Sequence, residues 1–228
     1  MRERVGAPDA PTTTLERVTP GRKPGGRAVD VAVAALVLLL AAPVLAVAAV
    51  AIKLTSRGPV LFRQQRVGTN GQPFWLLKLR TMRLGGDDAA YRDLVRREMT
   101  EPDAAPDTAD GAYKLEHDHR IFAVGRVLRR FSIDEVPQLV NVLRGEMAIV
   151  GPRPLEPFEA ELHSPYHSQR TLVRPGLTGL WQVSGRNFLN ALEMLELDVD
   201  YVGRRSWALD IGIMARTPYA MIAGHGAR

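Results

Sequence analysis

The longest apolar segment of the chain lies near its N-terminus. Residues 31–52 form a run of 22 residues without a charged side chain. As a helix this run rises about 30 Å, which matches the hydrocarbon thickness of a bilayer. Pro43 lies near the middle of the run, where it removes a backbone donor and clashes with the preceding turn. The pattern therefore predicts a membrane helix that is kinked or broken at Pro43.

This segment is compatible with a cleaved signal peptide, a straight transmembrane helix, or a re-entrant helix that leaves on the side it entered. A signal peptide is disfavoured because its apolar region usually spans only about 7–15 residues. Neither half beside Pro43 is long enough to cross about 30 Å. Basic residues lie on both flanks, namely Arg17, Arg22, Lys23 and Arg27 before the segment and Lys53, Arg57, Arg63 and Arg66 after it. Such flanks are typical of cytoplasmic segments, so we favour re-entry.

Short apolar runs after this segment predict a mixed domain of strands and helices. Residues 60–62 and 74–77 are expected to form two strands, joined by a turn at Asn70-Gly71, which is a strong hairpin signal. Residues 87–100 predict a charged helix. The stretch 101–112 is rich in Pro and Asp and predicts a mobile surface loop without chemistry.

The C-terminal part predicts two further helices. Residues 188–201 have the spacing of an amphipathic helix. Residues 207–222 mix apolar and aromatic side chains with arginines, which suits either a helix in the lipid headgroup region or one packed in the core. Near the start of the membrane segment, Asp30 is expected to pair with Arg27 or with a headgroup amine, or to lie in solvent.

Composition limits the classes of protein that remain. The chain has 228 residues, of which 46% are hydrophobic and 24% charged, so it supports one core and is not disordered as a whole. It has no Cys, which excludes disulfides, thiolate metal sites and a cysteine nucleophile. The formal net charge is +5, yet residues 85–118 are strongly acidic. The rest of the chain is therefore basic and favours an anionic partner.

Candidate chemistry is concentrated in residues 118–155. Ser132 and Glu135 have the spacing of a capping box, Pro137 must occupy the first helical turn, and Gly145 is expected to end the helix. Asp134 and Glu135 then lie at a helix N-terminus, where the helix dipole favours charged carboxylates. Such a pair can simply cap the helix, or it can supply a nucleophile or Mg²⁺ ligands.

Arginines flank this acidic pair on both sides. Arg129 and Arg130 precede it, and Arg153 follows within Gly151-Pro152-Arg153-Pro154. Because two prolines restrict the backbone, the Arg153 guanidinium is expected to be preorganised. Carboxylates surrounded by fixed cations favour phosphoryl chemistry, since they provide a nucleophile, a metal site and clamps for phosphate charge.

Successive motifs of the chain resemble those of the bacterial sugar transferases, the monotopic polyprenyl-phosphate phosphoglycosyl transferases of the exopolysaccharide-initiating type. The motifs are Lys78-Leu79-Arg80-Thr81-Met82, residues 132–143 (SIDEVPQLVNVL), Gly151-Pro152-Arg153-Pro154 and residues 174–186 (RPGLTGLWQVSGR). The resemblance implies transfer of a sugar-1-phosphate from a UDP-sugar to polyprenyl phosphate, with release of UMP and with Mg²⁺ as cofactor. The last motif is similar to that of members that use a hexose. Two alternatives stay open: a lipid-linked glycosyltransferase that releases UDP, and a basic non-enzymatic scaffold on the membrane surface.

The resemblance also implies roles for individual residues. Asp134 is expected to be the nucleophile that forms a phosphosugar-aspartyl intermediate. Glu135 is expected to assist it, either in Mg²⁺ binding or in deprotonating the acceptor. The basic residues expected to bind substrate are Lys78, Arg80, Arg129, Arg153, Arg174 and Arg186, of which Arg80, Arg174 and Arg186 are equally compatible with structural salt bridges. Trp181 is expected to pack in the core rather than stack on substrate.

The sequence pattern predicts a mostly helical α+β protein, and the resemblance implies that it lies on the cytoplasmic face of the bacterial inner membrane. A flexible basic tail (1–27) is expected to precede a re-entrant membrane helix (28–57) and a catalytic domain (58–228) with a small β-hairpin, interfacial helices and an acidic loop at about 85–113. Family members often have Ser-Pro at the membrane break, whereas this chain has Ala42-Pro43. The expected partners are a UDP-sugar, polyprenyl phosphate and membrane lipid. Nucleic acid is not expected, because no groove-reading motif appears.

Overall fold

The computed structural model describes residues 18–21, 23–83, 89–100, 120–162, 164–185 and 189–223. The helices in these ranges are α1 (Gly26–Thr55), α2 (Ala89–Thr100), α3 (Ala123–Arg130), α4 (Gln138–Arg144), α5 (Pro157–Leu162), α6 (Ser164–Arg170), α7 (Leu180–Val183), α8 (Ala191–Arg204) and α9 (Trp207–Ala223). The strands are β1 (Leu61–Val67), β2 (Pro73–Leu79), β3 (Ala148–Val150) and β4 (Gly176–Thr178). Helices dominate and the strands are short, which confirms the predicted fold class. The predicted loop over 101–112 lies outside the described residues.

The apolar segment forms α1, which continues as one helix through Pro43. The sequence predicted a kink or break there, and the structure shows that no non-helical segment separates the two halves. Proline removes one backbone donor but keeps a helical φ, so the helix is able to continue past it. By length and composition α1 is able to cross a membrane. Its middle is exposed, with Leu39, Leu40 and Val47 each about 70% accessible, and a bilayer is the environment that suits such side chains.

Both ends of α1 pack against the same globular domain. Near its N-terminus, Ala34 belongs to the buried cluster that contains Met147. Near its C-terminus, Ile52 belongs to a second buried cluster, with Leu79. A straight span would place these two ends on opposite sides of about 30 Å of hydrocarbon. In the structure both ends contact buried clusters of the same domain.

Buried charges fasten the N-terminal end of α1. The Nζ atom of Lys23 lies 3.7 Å from a carboxylate oxygen of Asp30 and forms an ion pair with Asp210 of α9. Asp30 is 3% exposed and pairs with Lys23, so neither the pairing with Arg27 nor the solvated position considered from the sequence is found. Arg27 instead donates to backbone carbonyls in the last turn of α4, where the negative end of the helix dipole favours a cation.

Strands β1 and β2 form the predicted hairpin. They pair antiparallel, with Leu61 opposite Leu79 at the open end. In the connecting turn, Asn70 has φ 54° and Gly71 has φ 76°, which is the left-handed backbone that Asn-Gly favours. The hairpin carries Lys78 to the end of β2, and this strand packs against the short turn that precedes α4.

Asn141 joins α4 to the free edge of β2. Its Oδ1 accepts a hydrogen bond from the backbone N–H of Leu77 at 3.0 Å. Its Nδ2 donates to the carbonyl of Trp75 and to the carboxylate of Glu146, both at 2.7 Å. The side-chain amide thus satisfies backbone groups that a neighbouring strand would otherwise satisfy. As a result, β2 and the adjoining Lys78 have a fixed position against α4.

The C-terminal helices complete the core. Asn190 begins α8 with a capping box to Glu193, which confirms the predicted amphipathic helix with a start at Ala191. On α9, Asp210 and Ile213 are buried, whereas Tyr219 is 76% exposed. Helix α9 therefore packs on one side and leaves the other exposed, so it combines features of both arrangements considered from the sequence.

Candidate active site

Asp134 and Glu135 lie on a three-residue 3-10 turn between α3 and α4, beside β2. Ser132 precedes the turn in the left-handed conformation, with φ 52°, and its side chain makes no cap hydrogen bond. The predicted capping box between Ser132 and Glu135 is therefore wrong, because an N-cap residue needs an extended backbone to present its oxygen to the helix. Pro137 directly precedes α4, one position before the first helical turn in which it was expected. Gly145 ends that helix with φ 86°, as predicted.

Lys78 faces this turn from β2. Its Nζ lies 3.2 Å from Oε1 of Glu135, and both side chains are half-buried. Burial lowers the pKa of Lys78; Glu135 opposes the decrease, whereas the nearby cations Arg153 and Arg66 add to it. The lysine and the arginines therefore share one region with the carboxylates, which is the arrangement predicted for Lys78, Glu135 and Arg153.

Asp134 is only 7% exposed. Burial raises its pKa to about 6, and the adjacent Glu135 carboxylate adds to the increase, while Lys78 and Arg129 oppose it. The expectation that the helix N-terminus favours the charged form is wrong in direction, because loss of solvent outweighs the local cations and backbone N–H groups. Near pH 7 the group is still mostly ionised, yet its anion is poorly solvated. A perturbed carboxylate of this kind is a candidate nucleophile.

Arg153 lies on a turn after β3 that is held from two sides. Its backbone carbonyl accepts a hydrogen bond from Arg170 at 2.8 Å. The carbonyl of Pro154 accepts one from Arg66 at 3.2 Å. Gly151 approaches the backbone leading into β4 so closely that a Cβ would overlap it. These contacts fix the backbone that carries Arg153; preorganisation of its guanidinium stays a prediction.

Of the other predicted basic residues, Arg129 joins this region and Arg174 does not. Arg129 is exposed on α3 and lies close enough to lower the pKa of Asp134. Arg174 is exposed just before β4, and among the described contacts none joins its side chain to Asp134 or Lys78. Arg186 lies outside the described residues.

The structure does not support the predicted substrate-binding role of Arg80. Its side chain is 2% exposed, and its Nε donates to the carbonyl of Pro59 at 2.6 Å. Its Nη1 and Nη2 donate to the Oγ and carbonyl of Ser56, at 2.5 and 2.9 Å. These donors fasten the end of α1 to the segment after β2, which is a structural role. Trp181 is 5% exposed and packs in the core, as expected.

Sequence reasoning missed the buried charges behind the Arg153 turn, namely Arg66, Glu159, Arg170 and Asp198. Asp198 accepts hydrogen bonds from Nε and Nη2 of Arg170 at 3.0 and 2.5 Å. Burial raises the pKa of Asp198 to about 6, against the opposing effect of Arg170. One signal was available: Asp198 lies on the apolar face of α8, near Leu195, where a carboxylate needs a partner.

A divalent cation fits the adjacent carboxylates only together with a bound ligand. Within the described residues, no group of three or more His, Asp or Glu side chains forms a metal site. Mg²⁺ in proteins is often held by one or two carboxylates, with waters and substrate phosphates as the remaining ligands. Asp134 and Glu135 are able to provide such a pair.

Comparison with known proteins gives consistent matches over most of the chain. The family model described as bacterial sugar transferase matches residues 22–224. The chain is 39% identical over 201 residues to the exopolysaccharide production protein ExoY of Rhizobium meliloti (strain 1021), covering 88% of this chain and 87% of that protein. It is 42% identical over 211 residues to the UDP-glucose:undecaprenyl-phosphate glucose-1-phosphate transferase of Caulobacter vibrioides, covering 88% and 71%. It is 35% identical over 204 residues to the undecaprenyl-phosphate galactose phosphotransferase of Salmonella typhimurium, covering 88% and 41%. The chain therefore belongs to the bacterial sugar transferase family.

Proposed function

We propose that the protein transfers a sugar-1-phosphate from a UDP-sugar to polyprenyl phosphate, releases UMP, and so begins assembly of a surface glycan. The observation that carries this proposal is the buried Asp134 carboxylate beside the Glu135–Lys78 ion pair. The names of the relatives support the chemistry, since they include undecaprenyl-phosphate transferases of glucose-1-phosphate and an exopolysaccharide production protein.

The proposed reaction consists of two displacements at one phosphorus atom. A carboxylate oxygen of Asp134 forms a bond to the sugar-bearing phosphorus, and the bond from that phosphorus to the bridging oxygen breaks, so that UMP leaves with the electron pair. An oxygen of polyprenyl phosphate then attacks the same phosphorus, and the Asp134 carboxylate leaves. Asp134 suits this role because it is anionic near neutral pH and is little solvated.

The cations around Asp134 suit the charge that develops on the phosphates. Arg153 is fixed by its backbone contacts, and Lys78 is held by Glu135 at 3.2 Å. Such groups are already oriented before substrate binds, so they stabilise negative charge in the transition state without reorganisation. Arg129 is exposed on α3. It therefore suits an acceptor phosphate that arrives from the membrane side.

Charge balance in this region favours a divalent cation as cofactor. Five cations take part in the electrostatic interactions of this region, namely Lys78, Arg66, Arg129, Arg153 and Arg170. Five carboxylates do so as well, namely Asp134, Glu135, Glu156, Glu159 and Asp198. These ten charges cancel one another, so the diphosphate of a bound donor adds negative charge to this region. Asp134 and Glu135 would hold Mg²⁺ together with the bound diphosphate, and the ion would supply that compensation.

The nucleotide released tests the proposed reaction. Detergent-purified protein is incubated with undecaprenyl phosphate, Mg²⁺ and either UDP-glucose or UDP-galactose, which are the donors suggested by the names of relatives. We expect UMP. Release of UDP would instead indicate a glycosyltransferase that moves the sugar alone. Absence of any nucleotide product across a wider panel of UDP-sugars would favour a scaffold on the membrane surface.

We also propose that α1 re-enters the cytoplasmic face of the inner membrane and places the site at headgroup level. Besides the packing of both ends of α1, exposed apolar side chains on neighbouring α3 and directly after it support this placement. Val127 and Phe131 are 54% and 59% exposed, next to the exposed arginines Arg126, Arg129 and Arg130. Such a surface suits the boundary between acyl chains and anionic headgroups.

Single-cysteine labelling tests this topology, because the chain contains no native cysteine. Thr19→Cys lies before α1, and Arg57→Cys lies after it; both positions are exposed. With a membrane-impermeant maleimide, we expect both variants to react in inverted vesicles and neither in right-side-out vesicles. A straight span would give opposite patterns for the two variants. Val44→Cys, in the exposed middle of α1, serves as a control that should resist the reagent in both preparations.

A further inference from the structure

Arg66 connects the turn that carries Arg153 to the region around Lys78. It is 5% exposed, and its Nη1 donates to the carbonyl of Pro154 at 3.2 Å. Its positive charge also contributes to the lowered pKa of Lys78. The position of the Arg66 guanidinium therefore affects two of the cations expected to bind phosphate.

Two carboxylates hold Arg66 in place. Nη1 lies 3.3 Å from Oε2 of Glu159, and Nη2 lies 3.1 Å from Oε1 of Glu156. Oε2 of Glu159 also accepts the backbone N–H of Glu156 at 2.6 Å. The other oxygen of Glu159, Oε1, accepts a hydrogen bond from the hydroxyl of Tyr91 at 2.8 Å. The Tyr91 hydroxyl therefore fixes the rotation of the carboxylate that orients Arg66.

Tyr91 reaches this network from α2, which is distant in the sequence. Its ring packs edge-on against Phe158, with centroids 6.2 Å apart, and Val95 on the same helix is fully buried. Burial and Glu159 raise the pKa of the Tyr91 hydroxyl, while the Arg153 guanidinium opposes the increase. The hydroxyl therefore lies within electrostatic range of Arg153, as well as being bonded to Glu159.

We propose that Tyr91 is a positioning residue for donor binding, acting through Glu159 and Arg66 to hold the Arg153 turn. Its hydroxyl fixes Glu159, Glu159 fixes Arg66, and Arg66 holds the Pro154 carbonyl beside Arg153. This inference rests on the proposed function, in which Arg153 binds the diphosphate of the UDP-sugar. Neither the family match nor the motifs point to Tyr91, which lies between the first two motifs.

Tyr91→Phe tests the hydroxyl alone, because the ring that packs on Phe158 is kept. We expect kcat/KM for the UDP-sugar to fall about tenfold, which corresponds to one hydrogen bond to a charged acceptor. The loss should appear mainly as a higher KM, since a displaced Arg153 weakens binding of the diphosphate. Tyr219→Phe is the matched control, because Tyr219 is 76% exposed on α9. It should keep the wild-type constants.

A double-mutant cycle separates positioning from general structural damage. In an Arg153→Ala background, Tyr91→Phe should change kcat/KM less than about twofold, because its effect passes through Arg153. Equal fold-losses in both backgrounds would overturn the proposal, as would a wild-type KM in Tyr91→Phe. Glu159→Gln should resemble Tyr91→Phe, since it weakens the same link.

Pyrophosphate binding makes the outcome independent of sugar transfer. Calorimetric titration with pyrophosphate and Mg²⁺ should show about tenfold weaker binding to Tyr91→Phe than to wild type. If wild type releases no UMP but this difference appears, the proposed reaction fails and the positioning role stands. If wild type releases UMP but pyrophosphate binds both proteins equally, or binds neither, the positioning role fails.

Discussion

Asp134→Asn is expected to lower UMP release by at least about 10³-fold, the scale of loss seen when a nucleophile is removed. Asparagine has nearly the same size and fits the same buried position, but its amide cannot form the phosphosugar-aspartyl bond. The measurement is UMP release from UDP-glucose or UDP-galactose by detergent-purified protein. Without acceptor, wild type should release about one UMP per site and retain labelled phosphosugar, whereas the variant should do neither.

Glu135→Gln distinguishes the nucleophile from its neighbour. This variant keeps Asp134 but loses the partner that lies 3.2 Å from Lys78, so we expect a loss of about 10²-fold with labelled phosphosugar still formed. Asp200→Asn is the control, because Asp200 forms an exposed i,i+4 pair with Arg204 on α8, and such pairs contribute little. If Asp134→Asn kept a tenth of wild-type activity, Asp134 would not be the nucleophile.

The elements predicted correctly are those encoded within a few neighbouring residues. Asn70-Gly71 favours a left-handed turn wherever it occurs, so the hairpin was predictable. Gly145 ended α4 for the same local reason. Ser132 shows the limit of such signals. Its spacing to Glu135 matches a capping box, but Ser132 has a left-handed backbone and makes no cap hydrogen bond. The following turn packs against α3 and β2, and such tertiary contacts are not visible in a local spacing.

The residues of the candidate site that lie within sequence motifs were predictable. The contacts between residues from distant segments were not. Tyr91 and Glu159 are 68 positions apart, and Arg66 and Glu159 are 93 positions apart. No local pattern indicates that these side chains will touch. The contacts of Arg80 were not visible in the sequence for a related reason. It shares a motif with Lys78, yet β2 ends at Leu79, and beyond that point its side chain contacts Ser56 and Pro59 after α1.

The ionisation of Asp134 was predicted in the wrong direction for the same reason, and this error has a measurable consequence. A helix N-terminus is visible in a sequence, whereas burial of a particular carboxylate depends on the whole fold. Loss of solvent raises the pKa of Asp134 from 3.8 to about 6. The folded protein therefore binds more protons than the unfolded chain between these values, and stability decreases as pH rises through this interval.

Asp134→Asn should consequently gain stability relative to wild type as pH increases. The variant has no carboxylate to ionise at this site, so the difference in unfolding free energy should grow from about pH 4 and level off near pH 7. A shift of about two pKa units corresponds to a gain of about 3 kcal/mol. The measurement is denaturant unfolding of both proteins in detergent and EDTA, because a bound cation would stabilise the anion.

The same experiment in a Glu135→Gln background tests the assigned cause. The Glu135 carboxylate contributes to the raised pKa of Asp134, so removing its charge should lower that pKa and reduce the gain from Asp134→Asn. Asp200→Asn should give a difference that does not change between pH 5 and 7. If the gain from Asp134→Asn were instead absent or reversed at pH 7, the folded protein would stabilise the anion, as the helix N-terminus alone predicts. The buried Asp134 anion would then be stabilised by its neighbours, and its reactivity would have to come from the surrounding cations rather than from loss of solvent.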